Sequence, residues 1–296
     1  MSERIGMLAA LLSSALGGVA AGATRFVVAD VDPLTLGALR FGGGFLVLLP
    51  IVLVLRQPWP QGRDWIGVAL FGLLYFCAYQ VLYNAAFIFT TAARGSMVGA
   101  TLAFITMVVA ALAGVERLSA RKLTGVLVAT GGVAVALASG LADAPQTAWR
   151  GDLMMLAGIF CWACHSVWSR PFIQRSSPLT FVAAGMGIGA ACLLALAFAR
   201  GGFDTVARFG PAQWIAVSYL AIFGGAVAFY LWVFALQRAS PTRVASTIAV
   251  HPVTASILAA IVMGEPIGLS LAVGVAAVLA GIWIAAGETN TRDKFP

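Results

Sequence analysis

The sequence predicts an all-α membrane protein of ten transmembrane helices, arranged as two inverted five-helix repeats around a central cavity. Three observations predict it: apolar runs of membrane length, a pattern written twice, and a lopsided distribution of basic residues. Of 296 residues, 61% are hydrophobic and 10% charged, and the mean hydropathy is +0.96. A soluble domain carries about 25% charged residues, so this chain is expected to reside in lipid. The net charge of +7 would suggest nucleic acid in a soluble protein. Here the basic residues lie mostly between apolar runs and read as topology signals instead.

About 20 apolar residues cross roughly 30 Å of hydrocarbon. That length gives spans near 5–28, 33–55, 64–84, 94–114, 119–139, 151–171, 178–200, 211–236, 242–263 and 267–287. The first run is too long, and its basic leader too slight, for a removable signal, so it reads as the first span. Turn punctuation separates later runs at Asp32-Pro33, Gln57-Pro58, Ser177-Pro178 and Ser240-Pro241. Small residues inside the runs let helices approach closely, as at Gly125 and Gly132 on the fifth span or Gly185, Gly187 and Gly189 on the seventh. Helices are required because an open sheet would leave backbone groups unpaired in lipid.

Pro33-Leu34-Thr35 opens one long run, and Pro178-Leu179-Thr180 opens another 145 residues later. Glu116 precedes a run carrying Gly125 and Gly132; Glu265, 149 residues on, precedes one carrying Gly274 and Gly281. Arg25 and Arg170 correspond at the first offset. The shared order indicates duplication, with repeats at 1–145 and 146–296.

Orientation follows from Lys and Arg. With the N terminus in the cytoplasm, that side receives twelve: Arg4, Arg56, Arg63, Arg117, Arg121, Lys122, Arg170, Arg175, Arg238, Arg243, Arg292 and Lys294. The opposite side receives five: Arg25, Arg94, Arg150, Arg200 and Arg208. Both termini are therefore expected to be cytoplasmic. Five spans per half is odd, so the second half enters from the opposite face and the repeat is inverted. This arrangement supports alternating access to a site near the midplane.

PLTLGALRF at 33–41 resembles the second-span motif of the EamA branch of the drug/metabolite transporter superfamily. VERLSARKLTGVLVATGGVAVAL at 115–137 and GEPIGLSLAVGVAAVLAGIWIAA at 264–286 resemble that branch's paired half-closing motifs. The resemblance implies ten helices in two inverted units around a cavity, and export of amino acids or other metabolites. Related branches carry drugs or nucleotide sugars. The aromatic-rich spans incline the reading toward exporters of aromatic and other apolar amino acids. Arg40 belongs to the motif, yet the second half carries Gly185 at the corresponding place.

No Asp or Glu sits near the middle of a predicted span, which argues against the carboxylate exchange used by many proton-coupled exporters of cationic drugs. Proton coupling would need His165, His251 or a span-end acid; uncoupled transport is equally open. Both histidines fall inside second-half spans, where each either lines a cavity or bonds as a neutral imidazole to a neighbouring helix. Pro252, directly after His251, removes a backbone donor and kinks the ninth span.

Tyr75, Tyr79 and Tyr83 recur every four residues, with Gln80 and Asn84 in an adjoining polar strip. Tyr75 or Tyr83 could instead belong to the interfacial aromatic belt; Tyr79 is nearer the middle. Trp162, His165 and Ser169 share a face of the sixth span, and Tyr219, Phe223, Tyr230 and Phe234 suggest an aromatic face or a packed core on the eighth. Ser246, Thr247, His251 and Thr254 give the ninth a polar side, although Ser and Thr also satisfy helix backbone. Arg40 lies roughly 10 Å along its helix, within reach of snorkelling, of a substrate carboxylate or of a helix-tying bond.

The expected binding residues are Tyr79, Tyr83, Trp162, His165, Asn84, Gln80, His251 and Ser246, with Arg40 and Pro252 in gating or structural roles. The expected partners are a small-molecule substrate and the bilayer, without nucleic acid, and a monomer is compatible with the reading. The cell inner membrane is the expected location. No cofactor, metal or catalytic residue is expected: Cys161-x-x-Cys164-His165 lacks a second ligand pair, and no nucleophile and base converge. Export of lipophilic drugs or sugar conjugates is the alternative, ahead of a membrane scaffold or an intramembrane enzyme.

Overall fold

A computed structural model describes residues 2–90, 95, 98–137, 146–254 and 269–286. Glu265, the start of the second closing motif, the latter parts of the ninth span and the flanking Arg94, Asp143, Arg292 and Lys294 lie outside the described residues. The described chain is helical, without strands, and five of its helices are long and apolar enough to cross a membrane.

The repeated Pro-Leu-Thr motif is a helix start in both halves. Helix α1 (Ser2–Val28) is followed by α2 (Pro33–Leu55), whose N-cap is Asp32. The Asp32 carboxylate accepts from the backbone N–H groups of Leu34 (2.9 Å) and Thr35 (3.2 Å), while Pro33 fills the first turn, where no amide donor is needed. In the second half Ser177 takes the cap, accepting from Thr180 N at 3.1 Å, and the Thr180 hydroxyl accepts from Ser177 N at 3.2 Å.

The third span runs past its expected end. It comprises α3 (Asp64–Gly72), a π-helical turn at Leu73–Ala78, and α4 (Tyr79–Phe89). After α5 (Leu102–Leu112), α6 (Ala120–Leu137) and α7 (Ala148–Trp168), a short α8 (Arg170–Arg175) leads to α9 (Pro178–Ala199). The eighth span repeats the third: α10 (Pro211–Ala221), a π turn at Ile222–Val227, then α11 (Ala228–Arg238). The two π turns are 149 residues apart, the same offset as Glu116 and Glu265. Helix α12 (Pro241–Ser246) passes through a 3-10 turn at Thr247–Ala249 into helical residues 250–254, where this described segment stops, and α13 covers Leu269–Ala286. That tightened turn lies just ahead of Pro252, whose ring crowds the carbonyl four residues back.

Every principal helix pair joins one half to the other: α6 with α13, α2 with α9, α1 with α11, α4 with α7, and α5 with α12. Exchanging the halves by the repeat offset maps the α6–α13 and α2–α9 pairs onto themselves and the α1–α11 pair onto the α4–α7 pair. At the α6–α13 contact the backbones nearly touch. A Cβ at Gly125 would stand 2.7 Å from the Gly281 carbonyl oxygen, and one at Gly132 would stand 2.8 Å from that of Gly274.

A buried ion pair closes one end. Lys122 Nζ lies 3.1 Å from Glu116 Oε2, with both side chains almost fully buried, and Glu116 Oε1 accepts from Thr242 N at 2.9 Å. An acid from the first half thus caps a second-half helix. Removing one partner of a buried pair costs about 3–5 kcal/mol, so Glu116→Ala is expected to lower thermal stability in detergent sharply. Arg175→Ala removes the exposed pair with Asp64 and a cation–π contact with Phe172, and is expected to lower the unfolding temperature much less than Glu116→Ala.

Candidate functional site

Where the halves meet, α1, α2, the third and eighth spans, α7 and the His251 segment enclose a cavity. Its free volume is about 40 Å³, room for roughly two to three water molecules. A second space of about 30 Å³ shares Tyr79, Tyr83, Trp162 and His251 with the first and extends toward Gly95 and Met155.

The aromatic wall begins at the π turn. Tyr75 and Tyr79 stack with ring centroids 5.5 Å apart, Tyr79 and Tyr83 lie 5.6 Å apart, and Trp162 stands 5.1 Å from Tyr79. Trp162 in turn leans on Trp232 at 4.9 Å. The apolar bodies of these residues pack, which leaves their polar atoms to find partners in the cavity.

Arg40 supplies the cavity's only charged side chain among its lining residues and is 5% exposed. Its Nη2 donates to the Gly224 carbonyl at 2.7 Å, a carbonyl inside the second π turn, and Phe41 and Phe229 flank its guanidinium. Of the roles open to it, snorkelling is excluded in this structure by the burial and the inward bond. Gly185 stands at the corresponding second-half position. A Cβ there would touch Gly72, so α9 packs directly on the third span, whereas at the equivalent contact of α2 with the eighth span the Arg40 side chain bonds the π turn. One missing side chain makes a paired scaffold asymmetric.

Four buried polar atoms at this wall have no hydrogen-bond partner: Arg40 Nε, Trp162 Nε1, Trp232 Nε1 and Gln80 Oε1. Three are donors. Buried polar groups are normally paired, so the wall is matched to something rich in acceptors.

Of the ten residues singled out from sequence, Arg40, Tyr79, Gln80, Tyr83, Trp162 and His251 line the cavity. His251 is also pressed against Gly17 and Gly18 of α1, where any side chain would collide with it. Pro252 shapes the same segment. Three others point elsewhere. His165 is fully buried behind the wall, stacked on Tyr75 at 4.1 Å and flanked by Phe71 and Phe181. Asn84 Nδ2 donates to the Pro33 carbonyl at 3.1 Å and ties α4 to the start of α2. Ser246 Oγ donates back to the Arg243 carbonyl at 2.7 Å.

Sequence reasoning missed Ser13 on α1 and, on the eighth span, weighed Tyr219, Phe223, Tyr230 and Phe234 as an aromatic face or a packed core without singling out Phe229 or Trp232. Phe229 and Trp232 line the cavity, whereas Tyr219 donates to the Leu16 carbonyl at 3.1 Å and Phe223 is 47% exposed. The cause is the π turn. One extra residue per turn rotates everything after it by about 100°, so 219 and 223 no longer share a face with 230 and 234. Gly224-Gly225 was the available signal.

An all-helical bundle whose paired halves enclose a polar, aromatic-walled cavity defines a class: membrane carriers of small solutes. The chain belongs to the EamA-like transporter family, which matches it twice, over residues 4–138 and 149–287. It is 27% identical over 297 residues, 96% of this chain and 95% of the relative, to a "Probable amino-acid metabolite efflux pump" of Salmonella typhimurium. A "Probable terminal-alkyne amino-acid exporter" of Streptantibioticus cattleyicolor is 29% identical over 79% of this chain and 77% of its own length. An uncharacterised inner membrane transporter of Escherichia coli is 27% identical over 82% of this chain and 79% of its own. The fold is also that of a solved crystal structure, at a TM-score of 0.76 and 22% identity, covering 96% of this chain and 95% of that one.

Proposed function

We propose that the protein is an inner-membrane secondary transporter that exports small metabolites, foremost amino acids with aromatic or other apolar side chains. Its ten spans form inverted repeats at 1–145 and 146–296, with both termini cytoplasmic. The observation that carries the substrate class is the cavity wall: three unpartnered donors beside a ladder of tyrosines and tryptophans. A carboxylate satisfies the Arg40 and Trp donors, and an apolar side chain lies against the rings. The relatives named as amino-acid exporters support the same class.

A free volume of about 40 Å³ is far below the roughly 300 Å³ of an ordinary ligand site, so substrate needs a wider state. The paired π turns lie at equivalent places in the two halves, beside the cavity, and such turns interrupt the regular hydrogen-bond ladder of a helix, frequently at functional sites. They are the proposed hinges of alternating access.

The test is flux of a panel of amino acids, drugs and sugar conjugates into liposomes carrying the purified protein, with and without a pH gradient. Trp162→Ala is expected to reduce flux of aromatic amino acids at least about tenfold while membrane insertion persists, because a stacking partner is lost at a well-formed site. Unchanged flux would remove Trp162 from the site; flux confined to drugs or conjugates would overturn the substrate class.

A further inference from the structure

A larger space lies outside the bundle. Helices α2, α4 and α9 leave an open groove of about 910 Å³ between them. Its floor is an apolar stripe on one side of α4, from Ala78 through Val81, Leu82 and Ala85 to Ile88, with Leu196 opposite. Asp32 and Arg200 stand at one end. That end is also where a 3-10 turn at Gly202–Arg208 crosses over the α2 cap: a Cβ at Gly202 would collide with Asp32 and Thr35.

The dimensions select an occupant. The eleven residues from Ala78 to Ile88 rise about 15 Å, half of a hydrocarbon core of about 30 Å. The groove therefore matches the acyl region of a single leaflet, whereas a helix from a second copy would run the full thickness. The charges fall where a headgroup lies. Arg200 is exposed, its side chain with no hydrogen bond or ion pair to another of the described residues, and the half-buried Asp32 carboxylate supplies the opposite sign.

We propose that this groove is a binding site for one zwitterionic phospholipid of the ethanolamine type. The phosphate pairs with Arg200, the ammonium faces Asp32, and the acyl chain lies along the α4 stripe. The site is separate from the substrate cavity but uses the opposite side of the same helix: Tyr79, Gln80 and Tyr83 face inward while Ala78, Val81 and Leu82 face the groove.

The delipidated full chain in detergent is titrated with phosphatidylethanolamine, phosphatidylglycerol, diacylglycerol or inorganic phosphate, and read by native mass spectrometry and thermal unfolding. A one-to-one phosphatidylethanolamine adduct and a raised unfolding temperature are expected, with weaker effects from the other two lipids and none from phosphate. Arg200→Gln and the groove-filling Ala85→Trp are each expected to weaken retention about tenfold. Asp32→Asn keeps an equally good helix cap and is expected to erase the preference for ethanolamine over glycerol headgroups. The proposal is overturned by absence of the adduct, by retention indifferent to Arg200→Gln and Ala85→Trp, by an equal effect of phosphate alone, or by a dimer that Ala85→Trp dissociates. None of these readouts depends on which solute is transported.

Discussion

Gly281→Leu is expected to abolish assembly of a stable protein, the largest structural effect of any single change in the chain. In lipid no hydrophobic driving force holds helices together, so α6 and α13 depend on close packing of their backbones. A Cβ at Gly281 would stand 2.6 Å from the Gly125 carbonyl oxygen and 2.8 Å from Ala129 Cα. Both obstacles are backbone, so no side chain can yield, and a leucine must force the helices apart. Overpacking in ordinary cores costs about 1–3 kcal/mol, and here the displaced surface is the long shared face of two helices. Gly125→Leu meets the Gly281 carbonyl and Ala285 N in the same way and is expected to behave alike. Gly131 provides the control on the same helix, since a Cβ there meets nothing within 4 Å. Size-exclusion profiles of the three variants after a temperature series decide it. A Gly281→Leu protein as monodisperse and heat-resistant as Gly131→Leu would show that the contact does not hold the halves together.

That α6 packs closely on a neighbour was legible in the sequence, because Gly125 and Gly132 stand out in an apolar run. Which helix they meet was not: the contacts with Gly274 and Gly281 of α13 are seen only in the structure. The Pro-Leu-Thr starts were legible for a similar reason: a cap, a proline and a threonine at fixed offsets act within one turn. Parts of the cavity wall followed from periodicity alone, as with Tyr79, Gln80 and Tyr83. What failed were residues whose place depends on another helix. Asn84 and Ser246 carry the polar groups expected of a site, but a carbonyl at the start of α2 and one a turn behind claim them. His165 lies on the same helix face as Trp162, yet one turn further on Tyr75 covers it. The π turns were the deepest omission. Nothing in a straight helical wheel registers an inserted residue, and every position after it is then displaced by about 100° around the helix.

Arg40→Met is expected to slow transport of aromatic amino acids about 10- to 100-fold, the largest functional effect, with the protein still inserted and monodisperse. The range corresponds to one charge-assisted interaction of about 1.5–3 kcal/mol. Two separate functions would be lost. The Nη2 bond to the Gly224 carbonyl ties a first-half helix to the second-half π turn, while the unpartnered Nε remains for a substrate. The choice of substrate separates them. If Arg40 recognises a carboxylate, the native protein discriminates strongly between an amino acid and its uncharged carboxamide, and Arg40→Met transports both at similar, low rates. If the guanidinium only fastens the π turn, the variant slows both compounds equally and keeps the native preference. Arg40→Lys sharpens the distinction, since it retains the charge but loses the planar fork that can hold a carbonyl and a carboxylate together. It is expected to keep part of the carboxylate preference at reduced rate. Competition between phenylalanine and phenylalaninamide in proteoliposomes measures all three proteins in one format. An unaltered preference in Arg40→Met would remove the carboxylate from the proposed recognition and leave Arg40 as the strut that ties α2 to the second π turn.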